Sequence, residues 1–87
     1  MALTFPNRSR SLDEARKVVR FVGYDGMFEV PFFIEIAALA NAGSAKLAET
    51  DALAAFDAAR TVIQDVARVV YSKGRQTLYV LTAADFR

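Results

Sequence analysis

The polar and apolar positions of this chain follow two periods. Up to about residue 36 they alternate, as in half-buried strands; from about 51 to 73 the apolar residues recur at helical spacing. The most apolar stretch, FVGYDGMFEVPFFIEI at residues 21–36, contains Asp25-Gly26, a dipeptide suited to a two-residue type I′ hairpin turn. That turn opposes Tyr24 with Met27, Gly23 with Phe28, Phe21 with Val30 and Val19 with Phe32. Turn chemistry and alternation then select the same register, whereas a three-residue loop opposes Phe21 with Glu29. Pro31 donates no ladder hydrogen bond, which predicts a strand at a sheet edge or a bulge.

Upstream, SRSLDEARKVVRF reads as a further short strand with a bend near Asp13-Glu14-Ala15. After Ile34, EIAALANAG turns to helix formers and ends at Gly43, a plausible left-handed stop. Thr50 is placed to cap the next helix, with Asp51 in its first turn at the positive end of the dipole. Leu53, Phe56, Ala59, Ile63, Val66, Ala67 and Val70 form its apolar stripe; Asp57, Arg60, Gln64, Asp65 and Arg68 lie opposite. Lys73 and Gly74 close it. A helix from 51 to 73 is about 35 Å long, against about 26 Å for a strand from Met27 to Ile34, so it must kink or overhang. TLYVL is a last strand, and Thr82-Ala83-Ala84-Asp85 has capping-box spacing.

These elements predict one α+β domain over 1–87: a small, mainly antiparallel sheet (β-hairpin or meander, then helices, then a final strand) packed on one long helix of the C-terminal half. The expected core is Val19, Phe21, Phe28, Val30, Phe32, Phe56, Ile63 and Val70.

Composition narrows the chemistry. The 87 residues contain no cysteine and no histidine, and the net charge is +1. Disulfides, thiolate metal sites and cysteine nucleophiles are thereby excluded, together with the commonest neutral-pH acid–base. No apolar run reaches the ~18 residues of a membrane span, because Glu29 and Glu35 interrupt the best one. No membrane partner is expected, and a cytoplasmic location is the expectation. Glu29 and Glu35 stand about 20 Å apart along a strand, too far to cooperate as a carboxylate pair. Phosphate-loop and dinucleotide glycine patterns are absent. No catalytic, cofactor-binding or metal-binding residue is therefore assigned, no cofactor is expected, and a non-enzymatic protein is the expectation.

Two surfaces remain. Arg8, Arg10, Arg16, Lys17 and Arg20, interleaved with Phe5, Phe21 and Tyr24, could contact an anion such as nucleic-acid phosphate. Asp13 and Glu14 dilute that cluster, and charged residues also protect a bare sheet edge. A nucleic-acid partner is possible but not favoured. On the sheet face away from the long helix stand Val18, Val22, Tyr24, Met27 and Phe33, relieved only by Arg20, Glu29 and Glu35. Such a face suits an unknown protein partner or a homodimer built on it or on the adjoining edge.

LTFPNRSRSLDEARKVVRFVGYDG, LAAFDAARTVIQDVARVVY and the closing LTAADF give the chain its likeness to known sequences. It resembles, along essentially its whole length, the bacterial family catalogued as domain of unknown function 1488. The resemblance implies a small α+β protein of bacterial cytoplasm, without an established activity or assigned site residues.

Overall fold

A computed structural model describes residues 3–6, 9–41, 51–74, 76 and 78–86. Strands β1 (Leu3–Thr4), β2 (Arg10–Asp13), β3 (Val18–Asp25) and β4 (Phe28–Glu35) precede helix α1 (Ile36–Leu39). Helices α2 (Ala52–Ala58) and α3 (Arg60–Ser72), strand β5 (Tyr79–Leu81) and a closing 3₁₀ turn (Ala83–Phe86) complete the chain. The α+β prediction holds. One five-stranded sheet runs β1-β3-β4-β5, with β2 sharing the flank of β3 that β1 occupies. All pairings are antiparallel except β4 with β5.

The hairpin forms with its loop one residue later than expected. Asp25 pairs with Phe28, so Gly26 and Met27 make the loop, and Val19, Phe21 and Gly23 oppose Ile34, Phe32 and Val30. Gly26 has φ 62°, and Lys17 is the one described non-glycine residue with positive φ. Positive φ at the first loop position alone, filled by glycine, matches a type II′ turn rather than type I′. The slip is two residues in pairing, so every side chain that stays within the strands keeps its predicted face. Phe21 and Phe32 gain a stacked contact at 5.4 Å between ring centroids. Phe28, expected in the core, is 79% exposed beyond its end.

Pro31 lies on an inner strand, between β3 and β5, not on an edge strand. The closing pair of a two-residue hairpin exchanges both hydrogen bonds, and alternation makes Val22–Pro31 a non-bonded pair. The proline nitrogen therefore faces the β5 side, where β5 begins only opposite Phe32. Among the described residues no strand pairs with residues 28–31 of β4 on that side, and proline fits there.

The long helix breaks at Ala59 (φ −107°, ψ 14°), resolving its mismatch with the sheet by a kink. α2 then packs on β2 and β3, while α3 packs on β5 and the closing turn. Asp51 is the cap itself, its side chain accepting from the Ala54 amide at 3.1 Å; Thr50 and Gly43 lie outside the described residues. The kink also corrects Arg60. The helical stripe places it among solvated residues, yet it is buried, its guanidinium 4.9 Å from the Phe56 ring centroid and 2.7 Å from Asp57. Val19, Phe21, Val30, Phe32, Phe56 and Ile63 are buried as expected, and Val70 is half-buried. Lys73 ends α3, and Gly74 follows at φ 148°. At the C-terminal turn Asp85 accepts from the Thr82 amide at 2.8 Å, as the capping-box spacing predicts.

Gly23 serves packing rather than a turn. It is buried in mid-strand, and a Cβ there would stand 2.8 Å from Phe5 Cε1 and 3.0 Å from Leu3 Cδ1. Its missing side chain lets Phe5 lie over the sheet, 6.0 Å from the Phe21 ring and 6.1 Å from Phe32. Arg68, another residue of the supposedly solvated helix side, covers Phe5 at 5.2 Å and donates to the Leu3 carbonyl at 3.3 Å.

Candidate functional site

The alternation of β3 and β4 sorts the sheet into two unlike faces. Odd positions of β3 and even positions of β4 meet α2 and α3. The outer face carries Val18, Arg20, Val22 and Tyr24 from β3 and Glu29, Pro31, Phe33 and Glu35 from β4. β5 adds Val80, directly beside Phe33 and exposed. α1 packs on α2 and the closing turn, burying Ala38 and Leu39 in the core. The N-terminal arm joins the sheet as β1. Among the described residues, no element forms a second layer over the outer face.

The five residues proposed as an interface separate there. Val22, Tyr24 and Phe33 share the face and are half-buried within the single layer. Val18 shares it too but is buried at 7% exposure. Met27 does not lie on the face: it is in the hairpin loop, 97% exposed. Pro31 and Val80 join them: alternation alone puts Pro31 on this face, whereas Val80 depends on strand order, which is not written in the sequence. Arg20 and Glu29 form an ion pair at 3.8 Å across the face, reaching over four strand positions in this register.

The basic cluster is largely answered by carboxylates. Arg10 makes a two-pronged contact with Asp57, Nε at 3.0 Å and Nη2 at 2.7 Å. Arg16 faces Asp13 at 3.8 Å, and Arg20 is held by Glu29. Lys17 is exposed at the end of the β2–β3 turn with φ 57°, and Arg8 lies outside the described residues. The Arg10 hydrogen bond, assisted by Arg60 and opposed by partial desolvation, holds Asp57 below its ordinary 3.8. The same bond raises Arg10. One carboxylate thus joins β2 to the helix kink, a structural use of the arginine.

A pocket of about 320 Å³ opens where β5 leaves β4 uncovered. Asp25, Phe28, Glu29, Val30, Pro31, Tyr71, Gln76 and Tyr79 line it. The Tyr71 hydroxyl donates to Asp25 Oδ2 at 2.6 Å, and the Tyr79 hydroxyl accepts from the Gln76 amide at 3.1 Å. Sequence reading gave no sign of it, because its residues come from the hairpin, the end of α3 and the approach to β5. Among the described residues no group of three or more acidic, histidine or cysteine side chains is placed to hold a metal ion. None of the described helices is long and apolar enough to cross a membrane.

Comparison with known proteins covers the first two segments singled out above and ends within the third, LTAADF. A family model described as "Protein of unknown function (DUF1488)" matches residues 3–82. The chain belongs to that family. No curated protein and no solved structure matches it.

Proposed function

We propose that this DUF1488 chain is a non-enzymatic self-associating module in which two copies pair through the outer face of the sheet. The observation that carries the reading is the one-sidedness of the sheet: Val22, Tyr24, Pro31, Phe33 and Val80 lie together with no described layer above them. β3 and β4 each run eight residues. With β1, β2 and β5 at two, four and three residues, the sheet projects about 400 Å², so two faces bury about 800 Å² in all, the size of a weak, transient contact.

Magnitudes then set the strength. If about 200 Å² per copy is apolar, burial contributes about 10 kcal/mol gross, against an association cost of about 4–15 kcal/mol. The net is a weak dimer, with a dissociation constant on the order of tens of micromolar. Charge is compatible with two-fold pairing. Each copy offers Arg20 and Glu29 on the same face, so each arginine can meet the glutamate of the other copy, and closed two-fold dimers are the commonest oligomers.

The test compares two substitutions. Phe33→Glu places a charge in the middle of the face and should weaken association at least about tenfold, a buried unpaired charge being strongly unfavourable. Val69→Glu alters an exposed residue of α3 and should leave association unchanged. Equal effects of both, by sedimentation equilibrium, refute the assignment. Retention on RNA at moderate salt, lost in the Arg10→Glu, Arg16→Glu double variant, would instead support the basic segment as the working surface.

A further inference from the structure

We infer that the pocket beside the hairpin is a binding site for an organic cation, an ammonium or guanidinium group on a short aliphatic stem. Two carboxylate residues, Asp25 and Glu29, line it, and no lysine or arginine is among its described lining residues. Among the described residues no cation pairs with Asp25, whose carboxylate accepts from the Tyr71 hydroxyl. Asp25 is half-buried. A carboxylate so placed, held by one neutral donor, keeps attraction for a positive charge that bulk water only partly screens.

The rest of the wall is aromatic. Tyr71 and Tyr79 stand 5.6 Å apart at 54°, and Phe28, 79% exposed, stands at the rim. Aromatic faces attract ammonium and guanidinium groups through their quadrupoles, and more strongly when partly desolvated. Rings and a carboxylate together select a cation with an apolar stem over a metal ion, which requires several oxygen ligands. Val30 and Pro31 supply the apolar floor for that stem. The site volume of about 320 Å³ is at the small end for organic ligands, which suits one side-chain-sized group.

Its position also explains why the fold leaves it open. β5 begins opposite Phe32, so among the described residues no strand covers residues 28–31, and Pro31 removes one amide that would otherwise seek a ladder partner there. The pocket is therefore a gap in the sheet edge walled by the end of α3, and it shares only Glu29 and Pro31 with the outer face proposed for dimerisation. It does not depend on that proposal.

The experiment is an NMR titration of the full chain with n-butylammonium, against 1-butanol and butyrate as neutral and anionic shape controls. Saturable shifts at Asp25, Tyr71, Gln76 and Tyr79 are expected below about 10 mM cation, an affinity reasonable for so small a ligand. The controls should bind at least about fivefold more weakly, the size of one cation–π and charge contribution. Asp25→Asn should weaken the cation at least about fivefold on the same basis. Glu29→Gln, at an exposed position, supplies a second variant expected to weaken binding if Asp25→Asn does not fold. Nα-acetyl-lysine N-methylamide run in parallel separates sources. Tighter binding than butylammonium assigns the site to a lysine side chain of a polypeptide, and weaker binding assigns it to a free amine. Phe33→Glu should retain cation binding even where dimerisation is lost. Butanol binding as tightly as butylammonium, or no saturable shift with any cation, overturns the assignment.

Discussion

At the scale of single residues, the tightest constraint is Gly23. An added methyl would sit 2.8 Å from Phe5, so Gly23→Ala should destabilise by about 1–3 kcal/mol through overpacking. Removing the obstructing ring should relieve part of that loss. In a double-mutant cycle with Phe5→Ala by urea denaturation, the two losses should fall short of adding. Strict additivity would mean Phe5 does not rest on Gly23. Lys17 gives the opposite case: it holds φ 57°, a conformation costing most L residues about 1–2 kcal/mol. Lys17→Gly should therefore raise stability by a few tenths to about 1 kcal/mol, part of the relief being lost to the freer unfolded chain. A destabilised variant would refute that account. Neither site was legible in the sequence. Gly23 stands in an alternating strand where its partner, Phe5, is eighteen positions away, and nothing in DEARKVV marks Lys17 as the left-handed residue.

Among the elements, alternation made the hairpin and its two faces readable but left its register open. Registers two residues apart bury the same side chains, so hydrophobic pattern cannot separate them. Loop chemistry and the Phe21–Phe32 stack decide between them. The helix mismatch with the sheet was readable as a length, though not the position of the break, and without that position Arg60 fell on the wrong side. Phe56 is fully buried against Phe21, 5.1 Å between centroids, so Phe56→Ala should cost about 3–5 kcal/mol. A loss under about 1 kcal/mol would contradict the packing of α2. The Arg10–Asp57–Arg60 junction predicts an acid dependence. Asp57 titrates lower in the folded chain than its ordinary 3.8, so the stabilisation is fully present above that value. It is lost as pH falls through the depressed folded value. Asp57→Asn should flatten this acid limb of the stability curve, and an unchanged limb would mean the contact contributes nothing in solution. The effect should be modest, since both partners are about one-third exposed or more, at 33% and 38%.

For the whole molecule, the sequence identified an apolar outer face and the charges on it, while the strand order that adds Val80 and the gap that opens the pocket depend on where β5 lands. Short parallel pairing between distant segments leaves no local signature. The central claim is that the uncovered face of the sheet joins two copies. Sedimentation velocity of the unaltered chain from about 5 to about 200 µM, spanning the constant on the order of tens of micromolar expected from the buried area, tests it most directly. A mass rising with concentration from one 9.6 kDa chain toward twice that value is the predicted result. A single 9.6 kDa species throughout would contradict it.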